Sequence, residues 1–226
     1  DALPIWPEDR GILTEPGVSA SLAKSRREMI SDISYKITLS IPADKDSSIT
    51  GRETVSFRSS ARGRTALDFA SAENEHIVVR VKKGWNSFDL DFTSDNRFLN
   101  RNGDYLYSLF VPAHARNVFP CFDQPDLKAR FTLSLEVPED WTAVSNTAAA
   151  DTVRLDGSRK RLEFNETDPI STYLSAFAAG KWSEASSTAE GMEMTAYYRE
   201  TDPKKVAQLP EIFKEVRQAI AWMEDY

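Results

Sequence analysis

Three observations predict a mainly β chain. Residues 31–41 alternate apolar and polar, short runs of the same kind follow between turn residues as far as Tyr198, and helical periodicity is confined to the two ends. Together they describe an all-β sandwich or open barrel, preceded by a short helix and followed by a longer one.

Taken in order, residues 1–17 hold Pro4, Pro7 and Pro16 with acidic residues and Trp6, and read as an extended arm. Over residues 18–30 the spacing of Val18, Leu22, Met29 and Ile30 predicts a short amphipathic helix. Ile33, Tyr35, Ile37, Leu39 and Ile41 then alternate with polar residues until Pro42 stops the strand. A polar loop leads to a second strand over 51–59, with Val55 and Phe57 inward. Further strands are expected at 66–69, 77–82, 87–92, 104–110, 141–144, 152–155, 161–165, 172–178 and 192–198. Asn102-Gly103 and Asp156-Gly157 are tight-turn signals between such runs. At Thr201 the pattern changes. Asp202 can cap a helix, Pro203 suits its first turn, and Leu209, Ile212, Phe213, Val216 and Ile220 recur at helical spacing.

The stretch from Ala115 to Leu135 organises the middle of the chain. Pro120 and Pro125 fix their own φ and hold the preceding residues out of the helical region. Asp123 sits between them, where its carboxylate can accept backbone N–H bonds. Phe119, Cys121 and Phe122 form an apolar cluster, and Ala129, Phe131, Leu133 and Leu135 alternate as a half-buried strand. Arg116 is expected to hold this turn through an ion pair or carbonyl contacts.

Composition narrows the function. The 226 residues are 41% hydrophobic, enough for a sizeable core, and a net charge of −7 argues against a nucleic-acid partner. Lys82-Lys83 and Arg159-Lys160-Arg161 are tight basic clusters and read as solvated turns rather than phosphate sites. A single cysteine excludes an internal disulfide, and Cys121 reads as buried and structural rather than reactive. No apolar run approaches a transmembrane segment. The start at Asp1 suits a processed N-terminus and an exported or periplasmic protein, with a cytoplasmic one left open. The helical pattern that runs into Tyr226 reads as a piece of a longer protein.

Ala115, Arg116, Phe119, Pro120, Cys121, Phe122, Asp123, Pro125, Lys128, Ala129 and Phe131 match the block A-R-x-x-F-P-C-F-D-E-P-x-x-K-A-x-F, with Gln124 in place of Glu. Residues 171–180 match S-T-Y-L-x-A-F-A-x-G, and Ser145-Asn146 a turn between the two. In these residues the chain resembles the N-terminal domain of the zinc aminopeptidases related to aminopeptidase N and leukotriene hydrolase. The resemblance implies a saddle-like β-sandwich over residues 31–200, after an arm and helix over 1–30. Residues 201–226 would be the first helix of a catalytic domain that continues past Tyr226, and that helix alone should expose an apolar stripe.

The same resemblance implies that this chain is the non-catalytic part of an enzyme whose zinc lies elsewhere. The family needs H-E-x-x-H on one helix, with two histidines on one metal and a glutamate activating water. His76 and His114 are the only histidines, and neither stands in such a motif. Both read as solvated, His76 at the start of a strand and His114 on a loop. Gly191-Met192-Glu193-Met194 is superficially similar to the family's G-x-M-E-N motif, but Met stands one place early and no Asn follows; it reads as a strand edge.

In the family, the loop before the first block reaches the active-site cleft and helps hold the substrate's amine. Here that loop is Leu109, Phe110, Val111 and Pro112, an apolar wall with Val111 and Leu109 where polar groups are usual. The expected partners are the catalytic domain and a peptide substrate. A β-sandwich binding or assembly module of a catalytically inactive relative is the alternative. A carbohydrate-binding sandwich would need exposed aromatics on one face, whereas Trp85, Trp141 and Trp182 are expected to pack the core.

Overall fold

The computed structural model describes residues 15–72, 75–94 and 98–226. Most of the expected arm, residues 1–14, lies outside the described residues. The helix forms as α1 (Ala20–Met29), capped by Ser19, whose hydroxyl accepts the Leu22 N–H at 3.2 Å.

The long alternating run is β1 (Ile30–Ser40), and its apolar side chains are buried while its polar ones face water. It is central in a six-stranded sheet with β2 (Thr50–Ser59), β5 (Gly84–Thr93), β8 (Ala129–Pro138), β10 (Ala149–Leu155) and β11 (Arg159–Phe164), in the order β10-β11-β8-β1-β2-β5. The β1–β8 pair is parallel, Ile33 opposite Ala129 through Ser40 opposite Glu136; all other pairs in this sheet are antiparallel.

A four-stranded sheet has the order β6-β7-β12-β9, from β6 (Leu99–Arg101), β7 (Tyr105–Ser108), β9 (Thr142–Ser145) and β12 (Phe177–Gly180). One contiguous core draws on both sheets. Its aromatic spine runs from Phe177 to Phe110, Phe119 and Phe131, with neighbouring ring centroids 5.8–6.3 Å apart. Each such side chain, fully buried, contributes about 1.5–3 kcal/mol. A hairpin of β3 (Gly63–Asp68) and β4 (His76–Val81) completes this part. The mainly β sandwich is thus observed.

Three details depart from the sequence reading. Residues 172–178 are not one strand: Thr172–Leu174 is a 3-10 turn, and β12 starts at Phe177. Trp141 is buried, but Trp85 is 57% exposed and packs no core. Glu53 lies on the buried face of β2 with Val55 and Phe57, opposite Ile37 of β1. It is 1% exposed, and neither carboxyl oxygen has a hydrogen-bond partner. Burial therefore pushes its pKa well above the usual carboxylate range, and the group is held neutral.

The glycine that ends the second motif block has a steric reason. A Cβ on Gly180 would stand 2.5 Å from Tyr105 Cβ and 2.7 Å from the Asp104 carbonyl oxygen, where β12 lies against β7. Gly180→Ala should therefore cost about 1–3 kcal/mol, read as a lower urea midpoint. An unchanged midpoint would show that the strands separate freely here.

The chain divides into two compact units between Gly180 and Lys181. The second holds the hairpin of β13 (Ser183–Ala189) and β14 (Met192–Tyr198), then α2 (Pro203–Val206) and α3 (Leu209–Glu224). Asp202 caps α2 as expected, accepting the Lys204 N–H at 2.9 Å. Pro210 lies in the first turn of α3, which splits the expected single helix in two. Helix α3 lies against the hairpin, with Phe213 its one buried side chain and Ile212, Val216, Trp222 and Met223 exposed.

Candidate functional site

Two features carry the chain's unusual chemistry: the two-proline turn with its buried charges, and the loop just before it. The turn is fastened at nearly every residue. Cys121 exchanges both backbone bonds with Asp68, N–H to C=O, at 2.7 and 3.0 Å. The Phe122 N–H donates to the Tyr35 hydroxyl at 2.8 Å, and the Asp123 N–H to Asp68 Oδ2 at 2.9 Å. The Ser171 hydroxyl donates to the Pro125 carbonyl at 2.6 Å, which joins the two motif blocks.

Gln124 now has a physical reason. Its Nε2 donates to the Ala23 carbonyl of α1 at 3.1 Å and to Asp126 Oδ1 at 2.8 Å, bonds an ionised glutamate could not donate. Arg116 ties the turn through its backbone: its N–H donates to Asp123 Oδ2 at 3.3 Å, and its carbonyl accepts from the Ala70 N–H at 2.9 Å. Asp123 therefore accepts a backbone N–H, but from seven residues upstream rather than within a local Asx turn. Burial raises the Asp123 pKa, and it pushes the Cys121 thiol well up, so the thiol stays protonated.

Beneath this turn lies a fully buried charge network that the sequence reading missed. Arg26 holds Asp68 with two bonds, Nη1 to Oδ2 at 2.9 Å and Nη2 to Oδ1 at 2.6 Å, and Nη2 also donates to the Ala66 carbonyl at 2.9 Å. Both side chains are 0% exposed. His76 is buried too, which corrects its expected place at the surface. Its Nδ1 lies 3.0 Å from Asp68 Oδ1, and its Nε2 lies 2.8 and 3.0 Å from the carbonyl oxygens of Glu15 and Gly17. Both ring nitrogens face acceptors, an arrangement the imidazolium satisfies best. The Asp68 contact raises the His76 pKa. Burial works to raise that of Asp68, but His76 and Arg26 outweigh it and the net shift is downward. No substrate reaches a network this enclosed; it binds α1, the β3–β4 hairpin and the two-proline turn to one another.

The loop is different. Strand β7 ends at Ser108, whose hydroxyl accepts the Phe177 N–H at 2.9 Å. Phe110 turns inward, 2% exposed, while Leu109 and Val111 are 54% and 67% exposed. The apolar wall expected over 109–112 is thus Leu109, Val111 and Pro112 standing on a buried Phe110 anchor. His114 is not simply solvated: its ring stacks on Phe98 with centroids 4.0 Å apart. Glu190-Gly191 forms the hairpin turn, with Gly191 at φ +77°, and Met192 opens β14, so this segment is the strand edge that was expected.

The donor set does not fit a metal. Among the described residues, no three of His, Cys, Asp and Glu are grouped to hold an ion. His76 turns Nε2 to the Glu15 and Gly17 carbonyls and Nδ1 to Asp68, and Cys121 is sealed inside the core.

The model of the Peptidase M1 N-terminal domain matches residues 96–174. Probable M1 family aminopeptidase 1 of Encephalitozoon cuniculi is 41% identical over 126 residues, 50% of this chain and 15% of that protein. Aminopeptidase N of Acetobacter pasteurianus is 36% identical over 147 residues, 59% of this chain and 41% of that protein. Among solved structures, an M1 zinc metallopeptidase from Deinococcus radiodurans shares the fold with a TM-score of 0.61 at 18% identity, covering 71% of this chain and 44% of that one.

Proposed function

Because this chain carries the N-terminal domain of the M1 peptidases, we propose that it serves as the non-catalytic β domain of a zinc aminopeptidase. In this reading it covers one side of a catalytic cleft built by a further domain, which supplies the zinc and the activated water. The residues of this chain supply none of that chemistry. What they supply is a rigid apolar wall. The observation that carries the reading is the loop before the two-proline turn, where Leu109 and Val111 stand exposed on the buried Phe110 anchor. Exposed apolar side chains on a loop pinned this firmly mark a contact surface. A wall without a carboxylate leaves recognition of the substrate's amine to the catalytic domain.

The test has two parts. With zinc added, the 226-residue chain should hydrolyse no aminoacyl anilide, while the full-length protein does. In the full-length protein, Val111→Glu should lower KM for substrates with a free amine, since a carboxylate there offers a charge-assisted bond. Hydrolysis by this chain alone, or a KM unmoved by the new carboxylate, would overturn the respective part.

A further inference from the structure

We propose that a second, separate site exists where the β3–β4 hairpin meets the edge strand β5: a cleft that binds a small aromatic anion of the nucleoside-monophosphate type. The cleft is about 620 Å3, and its lining includes Arg62, Arg80, Lys82, Trp85, Ser56 and Ser87. Among the described residues no carboxylate lines it, although the chain as a whole carries a net charge of −7. Among the described residues, Arg62, Arg80 and Lys82 have no ion-pair partner. On the same face of the hairpin, Arg64 stands directly across from Arg80. Like charges opposite one another destabilise a strand pair, and a bound anion relieves that repulsion.

Trp85 is the second half of the argument. It is the first large side chain of β5, and 57% of it faces solvent. The turn that presents it is locked from below by the buried Asn86. The Asn86 Nδ2 donates to the carbonyls of Lys82 and Gly84, and its Oδ1 accepts the Lys82 N–H, all at 2.9 Å. Gly84 takes φ +96°, which few other residues adopt. The backbone that carries Lys82 and the indole is therefore held in place before any ligand arrives. A flat ring stacks on the indole face while its anionic group sits among the guanidinium and ammonium groups. The volume suits one such ligand, and the acidic chain around it disfavours a polymer of phosphates.

The experiment is calorimetric titration of the intact chain with adenosine 5′-monophosphate at low salt, with adenosine and inorganic phosphate as half-ligands. The nucleotide should bind saturably and more tightly than either half. Trp85→Ala, and separately Arg80→Ala with Lys82→Ala, should each weaken it by about tenfold or more. All three positions are exposed, and unchanged melting temperatures would establish that the variants fold. No saturable binding, binding that survives both variants, or adenosine binding as tightly as its phosphate would each overturn the proposal. So would an oligonucleotide whose affinity grows in step with its length.

Discussion

Replacing Asp68 with alanine should cost the protein about 3–5 kcal/mol, because it strands the Arg26 charge in the core without its partner. For a chain of this size that is a fall of about 6–20 °C in melting temperature. The substitution also removes the acceptor for the Asp123 N–H and the counter-charge for His76. Asp68→Asn keeps an acceptor but not the charge, so its loss should be smaller. A chemical-denaturation difference below about 1 kcal/mol for Asp68→Ala would mean the network is not what binds helix, hairpin and turn together. The pH dependence follows from the two shifts. Asp68, lowered, contributes fully above its ordinary 3.8 and loses that share as pH falls through its folded value. His76, raised, contributes fully below its ordinary 6.5 and loses that share as pH rises through its folded value. The network is complete between those two limits, and His76→Ala should flatten only the alkaline side of the curve.

The second large effect has the opposite sign. Glu53→Leu should stabilise the protein at pH 7 by up to about 3 kcal/mol, because the unfolded chain ionises this carboxyl and the folded one does not. The stability that protonation lends is fully present below the ordinary 4.5 and is lost as pH rises toward and through the raised folded value. At pH 4 the gain should therefore shrink to what burying an apolar side chain in place of a neutral acid brings. Thermal melts of both proteins from pH 4 to pH 8 would decide it. Parallel curves across that range would mean that Glu53 finds water or a partner in solution.

Glu53 and Arg26 also mark how far the sequence could be read. Glu53 sits two places before Val55, so strict alternation already put it on the buried face. Arg26 follows Leu22 by four, so helical spacing put both on one side of α1. Charge alone argued for solvent in both cases; for Arg26 the partners Asp68 and Ala66 from a distant segment reverse that argument, whereas Glu53 is buried without a partner, its pKa raised by burial. His76 was not legible, because its burial depends on Asp68 across a hairpin and on carbonyls some sixty positions upstream. Strand β13 was invisible for another reason. It pairs only with β14 and none of its residues is buried, and its half-buried positions are small residues, Ala185, Ser187 and Ala189, so no apolar alternation is written into it. The loop 109–112 was legible as apolar, but not that Phe110 would turn away from its neighbours. The cleft beside Trp85 was beyond reach, since its cations come from a turn and a strand that only folding brings to one edge.

The parallel seam between β1 and β8 sets an order on how this chain is made. Ser40 meets Glu136, so the middle of the large sheet closes only after most of the first sheet's chain has left the ribosome. Until then β1 has an open hydrogen-bonding edge beside a row of isoleucines. Contacts this distant along the chain make for slow folding and leave a nascent strand open to wrong partners. The turn that looks like a mere fastening, Cys121 to Pro125, is synthesised just ahead of β8 and its short lead-in over 126–128. Its bonds to Asp68 fix where the chain enters that strand in the folded protein.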